Sequence, residues 1–468
     1  MVWRTWGGAG VAPTPSPNSR IVTEALGMRR LGICGAVVAL LAAVMWTAPK
    51  SAAPGGSRRV LAAESGLKFF RGNLHTHTLW SDGDDYPEMV AQWYRDQGYD
   101  FLSYTDHNTL QVGDKWIDVQ KSAGGEEAYQ KLKAAFPSDW IKERKSPEGR
   151  LEVRLKTFAQ VSTEIARPGK FLLIPGEEIS DRYGGLPLHM NATNLKEVLP
   201  PLGGDSVYEV LQRNTDALVA QRERTGQPML IHLNHPNFGY AVRAEDLMRV
   251  RGENFFEVYN GHPGVHNRGN REHPGTERLW DVILAKRLTE LRLPVMYGLA
   301  TDDGHNYHNR EGKSSKPGRG WVMVLARELT PAALIASLEQ GQFYSSSGVS
   351  LKSVVSSAEG LEVEVASQAG CTYSIQFIGT RRGFPPEGKP VLDEAGKEVW
   401  STADYSEKIG EVFQVVEGVR ANYKFGPDDL YVRAVVTSSK LHPDPSARGE
   451  FERAWCQPVR GPAAVNPE

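Results

Sequence analysis

Residues 69–77, Phe-Phe-Arg-Gly-Asn-Leu-His-Thr-His, form an apolar run that ends on two histidines separated by one residue. In an extended chain alternate side chains share a face, so His75 and His77 leave a strand end in the same direction. The pattern recurs. An apolar run at 101–104 precedes Thr105-Asp106-His107-Asn108, and one at 171–174 precedes Pro175-Gly-Glu-Glu178-Ile-Ser180. A fourth run, 229–233, leads into His235-Pro236-Asn237, and a sixth, 295–299, into Thr301-Asp302-Asp303-Gly304-His305. The fifth, 255–259, and the seventh, 321–325, complete the series.

Between these runs lie helical patterns with start and stop signals. Pro87 opens a helix ahead of Met89, Val90, Trp93 and Tyr94, because its missing N–H costs nothing in a first turn. Ser206 and Glu209 form a capping-box pattern, and Gly226 ends that helix. Thr330-Pro331 starts another that closes at Gly341. Seven strands alternating with helices over residues 66–345 predict an α/β fold with a mostly parallel sheet, arranged as a barrel. Residues 111–164, charged and partly helical, read as an insertion packed over the barrel with no catalytic part. From 346 to 461 the pattern turns to period two, cleanest at Leu361-Glu-Val-Glu-Val365, which predicts a small all-β sandwich.

The composition of the 468 residues is that of a soluble globular protein, with a formal net charge of −2 and interspersed signs. That argues against a nucleic-acid partner or a membrane-surface role, either of which demands a basic excess. Arg29 and Arg30 precede the apolar run 31–48, and small residues follow. Residues 1–63 are therefore expected to be a leader and linker that export the protein, with membrane attachment only if the leader stays uncleaved. Of three cysteines, Cys34 lies in the leader. Cys371 and Cys456 either pair in an oxidising compartment or are two separate thiols.

Barrel enzymes place their active sites at the C-terminal ends of the strands, where these histidines and carboxylates fall. Imidazoles and carboxylates crowded on one rim repel or stay unsatisfied unless cations hold them. The mixed N/O donors suit two or three divalent ions of zinc, manganese or iron. The expected ligands are His75, His77, Asp82, His107, Glu178, His189, His235, Asp303 and His305. Glu178 is chosen over Glu177, and His189 is expected on a loop. His232 is read as a supporting residue, Glu257 and Asn260 either as orienting groups or as plain polar strand ends, and Asp302 as a turn or supporting group. His262, His266 and His273 lie in a Pro/Gly-rich loop, read as a lid or a solvated loop.

In these residues the chain resembles the polymerase-and-histidinol-phosphatase (PHP) family. The matching segments are Asn73-Leu-His75-Thr-His77-Thr, Ser81-Asp82-Gly83, Tyr104-Thr-Asp-His107-Asn, Pro-Gly-Glu-Glu178-Ile-Ser, His235-Pro236 and Asp303-Gly-His305, in the family's order. The resemblance implies a distorted seven-stranded (β/α) barrel, a site for two or three ions with Glu178 as the bridging carboxylate, and phosphoester hydrolysis. The leader, the sandwich and Asp-His-Asn are also similar to the carbaryl-hydrolase-like branch, whose chemistry extends to carbamates and carboxylic esters.

The expected activity is hydrolysis of a small-molecule phosphoester by metal-activated water, with Asp303 or His305 moving a proton to the leaving group. Arg182, Arg243, Arg268, Arg271 and Arg319 are the loop cations from which a phosphate clamp would come. A carboxylic-ester or carbamate hydrolase is the alternative, favoured by a pocket of Trp80, Tyr183, Phe238 and Tyr240 without such an arginine. The non-enzymatic alternative is a metal-stabilised binding protein.

Overall fold

The structure is a computed structural model that describes residues 59–61, 66–308 and 314–467. The leader's charged and apolar core, 29–48, lies outside the described residues. No described helix is long and apolar enough to cross a membrane.

All seven expected strands form, within two residues of their anticipated ends: Lys68–Asn73, Phe101–Ser103, Leu172–Ile174, Leu230–Leu233, Phe255–Asn260, Tyr297–Thr301 and Trp321–Ala326. Lys68–Asn73, Phe101–Ser103 and Leu172–Ile174 run parallel, with Gly72 opposite Phe101 and Phe101 opposite Leu172. Gly72 is required there, since a Cβ would enter the Phe101 ring. Trp321–Ala326 joins the other edge of Lys68–Asn73 antiparallel. A second sheet holds Tyr297–Thr301, Phe255–Asn260 and Leu230–Leu233 in parallel, continued antiparallel by the hairpin Leu186–Thr193 and Gly176–Tyr183.

The expected α/β fold forms, but its distorted barrel is not closed by continuous strand pairing. Strand pairing gives two sheets, joined among the described residues by the isolated bridge Thr76–Gly304 at one seam and His107–Glu178 at the other. The reasons are local. Pro175, between Leu172–Ile174 and Gly176–Tyr183, has no N–H to offer a neighbour. On the far side, backbone groups of Tyr297–Thr301 are taken by side chains. Gln457 bonds both N–H and C=O of Gly298 at 2.9 Å, and Ser345 Oγ bonds Gly298 O at 2.8 Å and Ala300 N at 3.0 Å.

Beyond Ser346 the first sheet does not stop. Phe343–Ser346 pairs with Phe451–Arg460, which carries the sheet on through Asp429–Leu441, Tyr373–Arg381 and Glu411–Glu417. A four-stranded sheet of Arg59–Leu61, Leu351–Ser357, Gly360–Val365 and Arg420–Lys424 is a separate layer. Val354, Leu361, Val363 and Val365 share a core with Ile375, Phe377, Val432 and Val436. The alternation read at 361–365 is thus one face buried against a second sheet.

The helices obey their punctuation. Val207–Thr225 starts with Ser206 Oγ accepting from Glu209 N–H at 3.1 Å and stops at Gly226, whose φ of 66° is left-handed. Glu209 reaches back to the N–H of Asp205 instead of Ser206, so the box is displaced by one residue. Pro331–Glu339 is capped by Thr330. The insertion is helical in parts, as expected: the helices Gly125–Ala135 and Phe158–Ile165 accompany a small sheet of Trp116–Asp118, Leu151–Arg154 and Glu143–Lys145 in its sequence. Its apolar side packs on Trp80, Tyr86 and Met89.

Candidate metal centre

The strand ends bring every expected ligand to one rim. His75 and His77 approach each other through Nε2 at 3.2 Å. Both of these nitrogens face Asp303 Oδ1, at 3.2 and 3.3 Å, and Glu178 Oε2, at 3.5 and 3.2 Å. His107 Nδ1 is 3.0 Å from Glu178 Oε2, while His189 Nδ1 and His235 Nε2 lie 3.0 and 3.4 Å from Oε1. Asp82 Oδ1 stands 3.6, 3.5 and 3.4 Å from His77, His107 and His305.

Four overlapping groups result, each with donor atoms close enough to share a cation. They are His77, Asp82, His107 and His305; His75, Glu178 and His235; His75, His77 and Asp303; and His107, Glu178 and His189. Glu178 Oε2 tests whether such an ion fits. It is buried among three imidazole nitrogens at 3.0–3.5 Å, yet no N–H is aimed at it with hydrogen-bond geometry. A carboxylate oxygen and ring nitrogens facing a common point without bonding each other is what a divalent cation would resolve. The donor set fits.

Electrostatics agree. Burial raises the Glu178 pKa, but His107, His75 and His189 outweigh it and hold the carboxyl well below its usual range. Asp303 is lowered in the same way against burial by His75, His77 and His305. Burial lowers His107 and His305, yet the facing carboxylates push them up to about 11 and about 9. The rings are also closely packed: His77 stacks 4.0 Å from His305 and lies 4.6 Å from His107.

Around the ligands sits an orienting layer. Glu257 Oε1 is 2.7 Å from His75 Nδ1 and accepts from Thr301 Oγ1 at 2.7 Å; its Oε2 accepts from the His235 N–H and Asn260 Nδ2, both at 2.8 Å. Asn260 Nδ2 also reaches Asp303 Oδ2 at 3.1 Å. Both residues are thus bonded to expected ligands, the contact an orienting group would make. His232 is fully buried, 3.6 Å from Glu257, with its pKa lowered by burial. Asn234 was not anticipated. Its Nδ2 donates to Glu178 Oε1 at 2.8 Å and to Asn191 at 2.9 Å, and its position directly before His235 was the available sign. Backbone strain marks the rim as well: Asp303 and His235 have φ of 50° and 21°.

Several expectations change. His189 is on the strand Leu186–Thr193, not a loop, because Gly184-Gly185 turns the chain into a hairpin. Glu177, on the opposite face from Glu178, is buried away from the rim, accepts from the Leu199 N–H at 2.5 Å and is pushed up to about 7 by burial. Asp302 is a staple, accepting from Tyr94, Asn73 and the N–H groups of Arg319 and Gly320. Cys371 and Cys456 are free thiols. The loop of His262, His266 and His273 is packed: Asn237 Nδ2 ties His266 O and Pro274 O, and Tyr240 stacks on His273 at 3.8 Å.

The four aromatic residues do not form a pocket. Trp80 is buried with its indole N–H on Lys156 O, Tyr183 is exposed, Phe238 lies against His235, and Tyr240 is in the histidine stack. Of the arginines, Arg243 pairs with Asp246, Arg271 with Glu394, and Arg319 is buried on Gly261 O and Asp444. Arg268 lies 4.0 Å from Glu450. Arg182 has no side-chain partner among the described residues and borders a cavity of about 580 Å³ that Ser180 and His189 also line.

No protein-family model and no curated protein sequence matches the chain. Nine chains of solved structures do, these two among them. One is a two-domain protein from Bacteroides vulgatus containing a predicted PHP-like metal-dependent phosphoesterase, at 13% identity and a TM-score of 0.35, covering 84% of this chain and 96% of that one. The other is a candidate metal-dependent phosphoesterase from Bifidobacterium adolescentis, at 16% identity and a TM-score of 0.27, covering 53% and 91%. Identities and scores are low, and the chemistry is read from this chain's own side chains.

Proposed function

We propose that this chain is an exported metal-dependent hydrolase of small phosphoesters. The observation that carries the reading is the Glu178 carboxylate, buried among imidazoles that face it without bonding it. His75, His77, Asp82, His107, Glu178, His189, His235, Asp303 and His305 would hold two or three divalent ions. Bound there, such ions supply Lewis acidity and water made nucleophilic near neutral pH.

The protein's own contribution is placement. Glu257 holds His75 and the His235 backbone in register, Asn260 links Glu257 to Asp303, and Asn234 fixes Glu178. His305, beside Asp82 and Asp303, would pass a proton to the departing oxygen only where it does not itself hold an ion. Arg182 supplies positive charge at the adjoining cavity. That cavity favours a phosphoester over a carbamate, since the aromatic residues that would have lined a carbamate pocket are dispersed.

The test is turnover of p-nitrophenyl phosphate, a phosphodiester, an acetate and a carbamate by metal-loaded protein. Phosphoester turnover that is lost in His75→Ala and Glu178→Ala supports the reading. Turnover of the carboxyl esters alone supports the carbamate alternative, and metal uptake without turnover supports a binding protein.

A further inference from the structure

One imidazole at the rim belongs to none of the ligand groups. His262 follows the strand Phe255–Asn260, and its N–H donates to Asn260 Oδ1 at 2.8 Å. Because the Asn260 amide also bonds Glu257 and Asp303, the position of His262 is set by the ligand scaffold itself. Its ring lies 5.8 Å from that of His305, at 70°, and 6.1 Å from Phe238, which packs on His235. His262 is half-buried and stands between ligands from two different strands.

Its tautomer is fixed by the backbone. Nδ1 accepts the Gly264 N–H at 3.0 Å, so the ring proton of the neutral form sits on Nε2. The turn closes with the Val265 N–H on His262 O at 3.0 Å. Gly264 is needed for this approach, because a Cβ would lie 2.9 Å from Cε1 and 3.0 Å from Nδ1. Nε2 has no hydrogen-bond partner among the described residues.

We propose that His262 donates a hydrogen bond from Nε2 to the substrate oxygen that gains negative charge as the ester is cleaved. This rests on the hydrolase reading. Water adds to phosphorus, the ester P–O bond breaks with its electron pair on the alcohol oxygen, and a proton from the water ends on that oxygen. His262 keeps its own proton throughout and acts as a neutral donor, already oriented before substrate arrives.

Metal-loaded wild type, His262→Gln and His262→Ala would be compared on p-nitrophenyl phosphate, with metal content measured on each. The alanine variant is expected to lose on the order of 10² in kcat with KM little changed. The glutamine variant, whose amide still donates, recovers part of that loss, and all three hold the same metal. Lower metal content in the alanine variant would make His262 a ligand and overturn the proposal. So would equal losses in both variants, or a change confined to KM. A wild type that binds metal but cleaves no phosphoester overturns the hydrolase reading and this inference with it.

Discussion

Glu257 Oε1 stands 2.7 Å from Nδ1 of His75, on the side of the ring opposite the Nε2 that faces Asp303 and Glu178. That contact fixes which nitrogen can bind a cation. Glu257→Gln or Glu257→Ala should therefore weaken metal affinity by about 10–100-fold although residue 257 is not itself a ligand. Competition against a chelator of known affinity checks this. Unchanged affinity would mean that the scaffold, not Glu257, orients His75.

Metal loading should release protons. Without a cation the carboxylates hold His107 and His305 protonated, up to about 11 and about 9. A metal needs the neutral rings, so apparent affinity should rise with pH from 6 to about 9, where His305 would lose its proton unaided. Calorimetry in buffers of different ionisation enthalpy reads the released protons as buffer-dependent heat. Equal heats in all buffers would contradict the prediction.

Glu253 should set an alkaline weakness. It is fully buried, neither oxygen has a well-aligned partner, and burial raises its pKa to about 8, against the pull of Arg287. A raised folded-state pKa favours the protonated form, so its contribution is complete below the unfolded value of about 4.3 and fades as pH climbs through 8. Glu253→Gln should match wild type near pH 5 and exceed it by a few kcal/mol above pH 8. Denaturant unfolding at the two pH values checks the sign.

Gly83→Ala should disturb the site without touching a ligand. A Cβ at Gly83 would lie 2.6 Å from the His77 carbonyl and 2.7 Å from the Thr78 nitrogen, both backbone atoms that cannot give way. The turn would lift, carrying Asp82 from His77, His107 and His305. Loss of metal with little change in secondary structure by circular dichroism is expected. A variant with full metal content would show that the turn absorbs the change.

Most of the candidate ligands are legible because they follow apolar runs, where chemistry and strand ends coincide in sequence; His189, inside a strand, and Asp82, on a turn, do not. What closes the fold is not legible there. The seam at Gly298 depends on Gln457, 159 residues away, and no local pattern announces a side chain that replaces a strand. The hairpin Gly176–Tyr183 and Leu186–Thr193 was hidden because its ligand-bearing residues read as loop chemistry. In sequence His262 looks like the other two loop histidines; only the bonds to Asn260 and Gly264 separate it from the stacked pair.

Elemental analysis of the mature protein, after equilibration with zinc, manganese or iron and removal of excess, bears most directly on the account. More than one tightly held ion per wild-type chain, with Glu178→Ala folded but stripped of most of it, is the predicted result. A wild type that emerges with none under every metal would contradict it.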